Sequence, residues 1–227
     1  MTKPRWAEQL ASLDRASWPA FLDRHSGLPG PRANLELATA FATLADAALA
    51  TGLANDADEY RAMCGAAALG RRAADPAAEA RARELAGDRR WRVRMGVELG
   101  LQLLGDGSPD TLRSVALDWV EDADPLVKRA AIAALCEPRL LRGAERAAVA
   151  IAVCRRATDA ITAVPPERRR EPNVRVLRQA LGYCWSVAVA ADPIPGLAAF
   201  AELDASDPDV AWIVKENRVK KRLATLL

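Results

Sequence analysis

The chain has 227 residues, 51% of them hydrophobic but only 5% aromatic, so small aliphatic side chains, alanine above all, carry its apolar character. With 32 Lys and Arg against 30 Asp and Glu, the net charge is +2, too even a balance to mark a protein that grips many phosphates over its whole surface. Alanine favours helices and lets them approach closely, and alternating β-branched runs are nearly absent, which predicts an all-α fold.

No apolar run reaches the roughly 18 residues of a membrane span. The opening MTKPRWAEQL lacks the apolar stretch of a secretory leader. A soluble, cytoplasmic protein with no membrane partner is the expectation. Cys64, Cys136, Cys154 and Cys184 scatter through Ala-rich runs without CxxC spacing, and His25 is the sole histidine. Buried reduced thiols are therefore expected, and neither a metal site nor a cofactor is implied.

In chain order, Arg5 to Leu13 and Trp18 to Arg24 read as two short helices, with Trp6, Leu10 and Leu13 on one face and Trp18, Phe21 and Leu22 on another. Ser26-Gly27-Leu28-Pro29-Gly30-Pro31 is the densest cluster of helix breakers and predicts a rigid loop, with Asn34 as the N-cap of the next helix. Residues 1–33 thus form a helical cap and loop before a repetitive region spanning 34–227. Within it, Asn34 to Ala50 reads as one helix, followed by Glu59 to Ala73, Asp75-Pro76 to Leu85, Trp91 to Leu104 and Thr111 to Val120. Asp124 and Pro125 then open another helix, and the stretch Val164 to Glu171 is a loop before Pro172.

Tyr60, Val93, Val127, Val174 and Val210 occupy one register at helix starts, at steps of roughly 33 to 36 residues with one longer step of about 47. Segments such as DADPLVKRAAIAAL, DRRWRVRMGVELGL and SDPDVAWIVKEN share an acidic turn, a valine and a basic residue or its equivalent. This pattern resembles HEAT-like repeats. The resemblance implies an α-α superhelix, an ARM-like solenoid of about five helical hairpins whose second helices line a concave surface. The valines would lie in the core, and Arg94, Lys128 and Arg175 would form a basic row paired with acidic turn residues such as Asp88, Asp122 and Asp124.

HEAT-like repeats also build the DNA alkylation repair glycosylases, in which aromatic rings beside a carboxylate stabilise a cationic base. Here, at one helical turn after the tryptophan, Trp91 is followed by Met95, Trp119 by Ala123 and Trp185 by Val189; only Trp212 with Glu216 keeps the spacing. No Gly-rich phosphate loop, GxSxG or histidine-based triad occurs, so no catalytic residue is assigned. The leading expectation is a non-catalytic scaffold that holds a macromolecular partner, a protein first, on its concave face. The alternative is a DNA-binding protein resembling the glycosylases. The contact residues expected are Trp91, Arg94, Trp119, Lys128, Arg129, Arg175 and Trp212, together with Lys215, Lys220, Lys221 and Arg222 near the end of the chain. Arg168-Arg169-Arg170 is a second basic stretch.

Overall fold

The computed structural model of the chain describes residues 6–227, and every regular element among them is helical. Contacts gather into two compact units, one ending at Gly107 and the other spanning Ser108–Leu227.

The first unit begins with α1 (Trp6–Ala11) and α2 (Trp18–His25). Leu10, Trp18 and Leu22 are buried, and the Trp18 ring meets Phe41 at 5.7 Å between centroids. Next come α3 (Leu35–Leu44) and α4 (Ala47–Ala54), where the sequence suggests one continuous helix. Ala45 adopts extended backbone at ψ 136, and Asp46 starts a new helix by accepting from the Leu49 N–H at 2.9 Å. The apolar pattern runs on across this point, so hydrophobicity conceals the break. The capping carboxylate decides it, because it offers orphan N–H groups a partner that a continuous helix cannot.

Helices α5 (Glu59–Arg71), α6 (Pro76–Ala86) and α7 (Trp91–Gly107) complete the unit. The core lies where α5 meets α7, and the two backbones nearly touch. A Cβ added at Gly96 would sit 2.3 Å from the Met63 carbonyl oxygen, and one at Gly100 would sit 2.2 Å from that of Ala67. Only glycine permits that approach. Asp58 and Asp75 cap α5 and α6 through their carboxylates. Arg61 then ties α5 to its own preceding turn and to α2. Its Nε donates to Asp56 at 2.8 Å and its Nη1 to Asp23 at 2.5 Å. The Arg61 bond holds the Asp56 carboxyl below the usual carboxylate range against the opposing effect of burial.

The second unit contains α8 (Pro109–Trp119), α9 (Pro125–Leu135), a 3-10 turn at Pro138–Leu140, α10 (Ala144–Thr162), α11 (Pro172–Ala191), α12 (Pro193–Ala201), α13 (Pro208–Arg218) and α14 (Lys221–Ala224). Helix α11 is its spine, packing against α9, α10, α12, α13 and α14. Trp119 and Trp185 are wholly enclosed, and the Trp185 indole N–H donates to Thr158 Oγ1 at 3.0 Å. Asn217 is also wholly buried. It accepts from the Ser186 N–H and donates to the carbonyls of Leu181 and Ile213, each at 2.8 Å, which pins α13 to the backbone of α11. A buried amide with three partners leaves little polar surface unsatisfied.

All five register residues, Tyr60, Val93, Val127, Val174 and Val210, are buried within the first three positions of α5, α7, α9, α11 and α13. The turn between α8 and α9 shows how the sequence sets this up. Asp122 Oδ1 accepts from the Asp124 N–H at 2.8 Å, and Asp124 Oδ1 accepts from the Leu126 N–H at 2.9 Å. Pro125 stands next as the first helical residue, where its missing N–H costs nothing. Replacing Asp124 with Ala removes one cap and should lower stability by about 1 kcal/mol. Urea melts of wild type and variant measure this, and superimposable curves would remove Asp124 from that role.

Candidate functional site

The basic row expected to pair with acidic turn residues does something else. In α7, Arg94 sends Nη1 back to the carbonyls of Asp88 at 2.6 Å and Arg89 at 3.2 Å. In α9, Lys128 Nζ reaches the carbonyl of Val120, at the end of α8, at 2.7 Å. Side chains on a helix lean toward its N-terminus, so a cation in the first turn overhangs the preceding turn and meets its unpaired carbonyls. Burial pulls the Lys128 ammonium below its ordinary range, while Glu121 and Asp122 draw it upward. Asp88 is engaged instead by Arg90, whose Nε and Nη2 donate at 3.1 and 2.9 Å. Arg175, the third member of the row, is exposed, and its side chain has no partner among the described residues.

The Arg168–Arg170 stretch is likewise mostly internal wiring. Arg168 pairs with Glu171 at 2.7 Å. Arg169 donates to the carbonyls of Val164 and Thr162 at 2.8 and 2.7 Å, closing the end of α10, and to the Asp207 carboxylate at 2.5 Å. Burial acts upward on Asp207, yet this arginine and the N–H groups of Val210 and Asp209 hold it below the usual carboxylate range.

Trp119 is 0% exposed, so it belongs to the core and offers no surface to a partner. The sequence misleads here because the acidic residues around Trp119 suggest a site, whereas its helical position turns it inward. Arg129 is half-buried and engaged within the fold. Trp91 stands at 50% exposure at the start of α7, with the Arg92 guanidinium 4.4 Å from its ring centre. It and Arg94 belong to the first unit, separate in sequence from the remaining candidates.

Of the remaining candidates, Trp212 and Arg222 meet side chains of α11. Trp212 lies against Gly182, where an added Cβ would come within 2.9 Å of the ring, and Arg178 stacks on it at 4.8 Å. Arg178 is held in turn by the Asp209 carboxylate. Tyr183, 45% exposed, carries Arg222 of α14 at 4.9 Å from its ring centre, and its hydroxyl accepts from Arg222 Nη2 at 2.8 Å. Lys215, one turn beyond Trp212, and Lys221, at the start of α14, are exposed and have no side-chain partner among the described residues, while Lys220 pairs with Glu216 at 3.9 Å. Sequence reading overlooks Arg178, Gly182 and Tyr183. The spacing of Arg175, Gln179 and Tyr183, four apart on one helix, is the signal that could have found the face.

His25 and the four cysteines are committed to packing. His25 packs between the rings of Trp6 and Phe21, at 5.2 and 4.5 Å. Three of the four cysteines meet in the second core, with Cys136 and Cys154 sulfurs 3.7 Å apart and Cys184 pointing to the Ile132 carbonyl. The hydrogen bond with Cys154, together with burial, pushes the Cys136 thiol well up, and burial does the same at Cys64. Protonated, enclosed thiols are poor nucleophiles. Among the described residues, no helix is long and apolar enough to cross a membrane.

No protein-family model matches the chain, and no curated protein is significantly similar to it. Among solved structures, the chain is similar to a crystal structure of an engineered protein, a Northeast Structural Genomics Consortium target. The identity is 14% and the TM-score 0.37, over 98% of this chain and 96% of that one, a likeness too slight to bear on fold or function.

Proposed function

We propose that the chain is an array of HEAT-like hairpins, an α-α superhelix, serving as a non-catalytic scaffold that holds a protein partner on the outward faces of its register helices. One observation carries this reading. The carboxylates, cations and thiols of the interior are spent on caps, turns and core, whereas the α11–α13 seam presents aromatic and cationic side chains to solvent. The glycosylase-like alternative needs open tryptophan faces beside a carboxylate, and the enclosure of Trp119 and Trp185 leaves it fewer rings to use.

The test is affinity capture from the native extract, followed by reconstitution with the purified partner. Tyr183→Ala and Trp212→Ala should each weaken the reconstituted complex at least tenfold, since aromatic anchors dominate such interfaces. A complex indifferent to both changes would discard the reading. Salt-dependent quenching of tryptophan fluorescence by duplex DNA, with no protein captured, would replace it with the DNA-binding alternative.

A further inference from the structure

The cations of the second unit divide into two sets. Arg113, Arg155, Arg156, Arg168, Arg169 and Arg178 each reach a carboxylate. Around the α11–α13 seam that compensation is partial, limited to Arg178 with Asp209 and Lys220 with Glu216. Helix α11 contains two arginines and no acidic residue, and residues 210–227 contain five Lys or Arg against the single Glu216. Among the described residues, the side chains of Arg175 and Lys215 have no partner, and that of Arg222 has only neutral Tyr183. Among the described residues, Arg175, Lys215, Lys221 and Arg222 of α11, α13 and α14 thus reach no carboxylate.

We infer that this face docks an extended acidic segment of a protein partner, a deepening that rests on the scaffold reading. Charge complementarity supplies the attraction and the orientation. The two rings decide between classes of polyanion. Binding of single-stranded nucleic acid relies on open aromatic faces for base stacking. Here Trp212 has Arg178 on its ring and Gly182 against its edge, and Tyr183 carries Arg222. What the stacked Arg222 offers instead is a planar N–H fork held on a neutral ring, the geometry that matches a carboxylate. From Arg175 to Tyr183 the helix rises about 12 Å, which an extended peptide of roughly four residues spans.

The experiment measures fluorescence anisotropy of a labelled octaglutamate and of a labelled thymidine octanucleotide, each titrated with the full chain at two salt concentrations. Octaglutamate should bind, more weakly at the higher salt. R175E/K215E should weaken it at least tenfold, while R142E/R146E, an equal charge change at exposed cations on the α10 side, should leave it within twofold. Thermal melts in parallel identify any loss of fold, and K215Q alone, removing one exposed unpaired charge, serves if the double variant unfolds. Binding unaffected at the seam, equal loss with the α10-side variant, or tighter binding of the oligonucleotide overturns the inference. So does the absence of octaglutamate binding. Should R175E/K215E still hold the captured protein partner, the acidic-segment inference falls and the scaffold reading stands; failure to capture any partner fells the scaffold reading itself.

Discussion

Trp119→Ala should lower the unfolding free energy of the second unit by about 3–5 kcal/mol, the usual cost of truncating a large core aromatic. The side chain is 0% exposed, sits at the last turn of α8 and has Val120 and Val115 buried beside it. Removing it leaves a cavity that neighbouring helices close only in part, because their backbones are fixed by caps and mutual packing. Trp119→Phe, which keeps most of the apolar volume, should cost clearly less. Urea denaturation followed by circular dichroism reads both. A Trp119→Ala variant within about 1 kcal/mol of wild type would mean that the ring is not in the core, and would restore it as a contact residue.

Gly96→Ala/Gly100→Ala in α7 is the second large effect, and its sign separates two forces. Helix propensity alone favours each alanine by about 1 kcal/mol, so the double variant would gain roughly 2 kcal/mol. Packing opposes this. The new Cβ atoms would lie 2.3 and 2.2 Å from the carbonyl oxygens of Met63 and Ala67, which are backbone atoms of α5 and cannot swing aside. Helices α5 and α7 must separate, and overpacking of this kind costs about 1–3 kcal/mol per site or more. Over two sites that is about 2–6 kcal/mol against a gain of roughly 2, so a net loss of up to about 4 kcal/mol is expected, read as a lower melting temperature, since backbone displacement opens gaps elsewhere in the interface. A stabilised variant would show that the two helices have room to spare.

Much of the helical layout is legible in the sequence because local chemistry writes it. Asp58, Asp75, Asp124 and Asp207 each cap a helix within three residues, and Pro76, Pro125, Pro172 and Pro208 each open one. The buried register of Tyr60, Val93, Val127, Val174 and Val210 arises from the same turns. Where the sequence misleads, it does so for an equally physical reason. The break at Ala45 is hidden inside a continuous apolar stripe. Trp119 sits among carboxylates that suggest a site and turns inward instead. Arg94, Lys128 and Arg169 look like a free basic surface, yet each reaches backbone carbonyls of a preceding turn.

Helix identity, helix starts and the residues facing inward at those starts were determined by the sequence itself, since caps, prolines and apolar spacing act over three or four residues. Which cations stay uncompensated was decided only in the tertiary structure. Whether Arg178 finds Asp209, Arg169 finds Asp207 or Arg222 finds a tyrosine depends on residues 31 to 39 positions away. Those pairings arise when α11, α13 and α14 pack, and that packing in turn depends on Gly182 making room for Trp212 and on Asn217 binding the backbone of α11. No pattern along the chain encodes them, because the partners of a charge are chosen by distance in space.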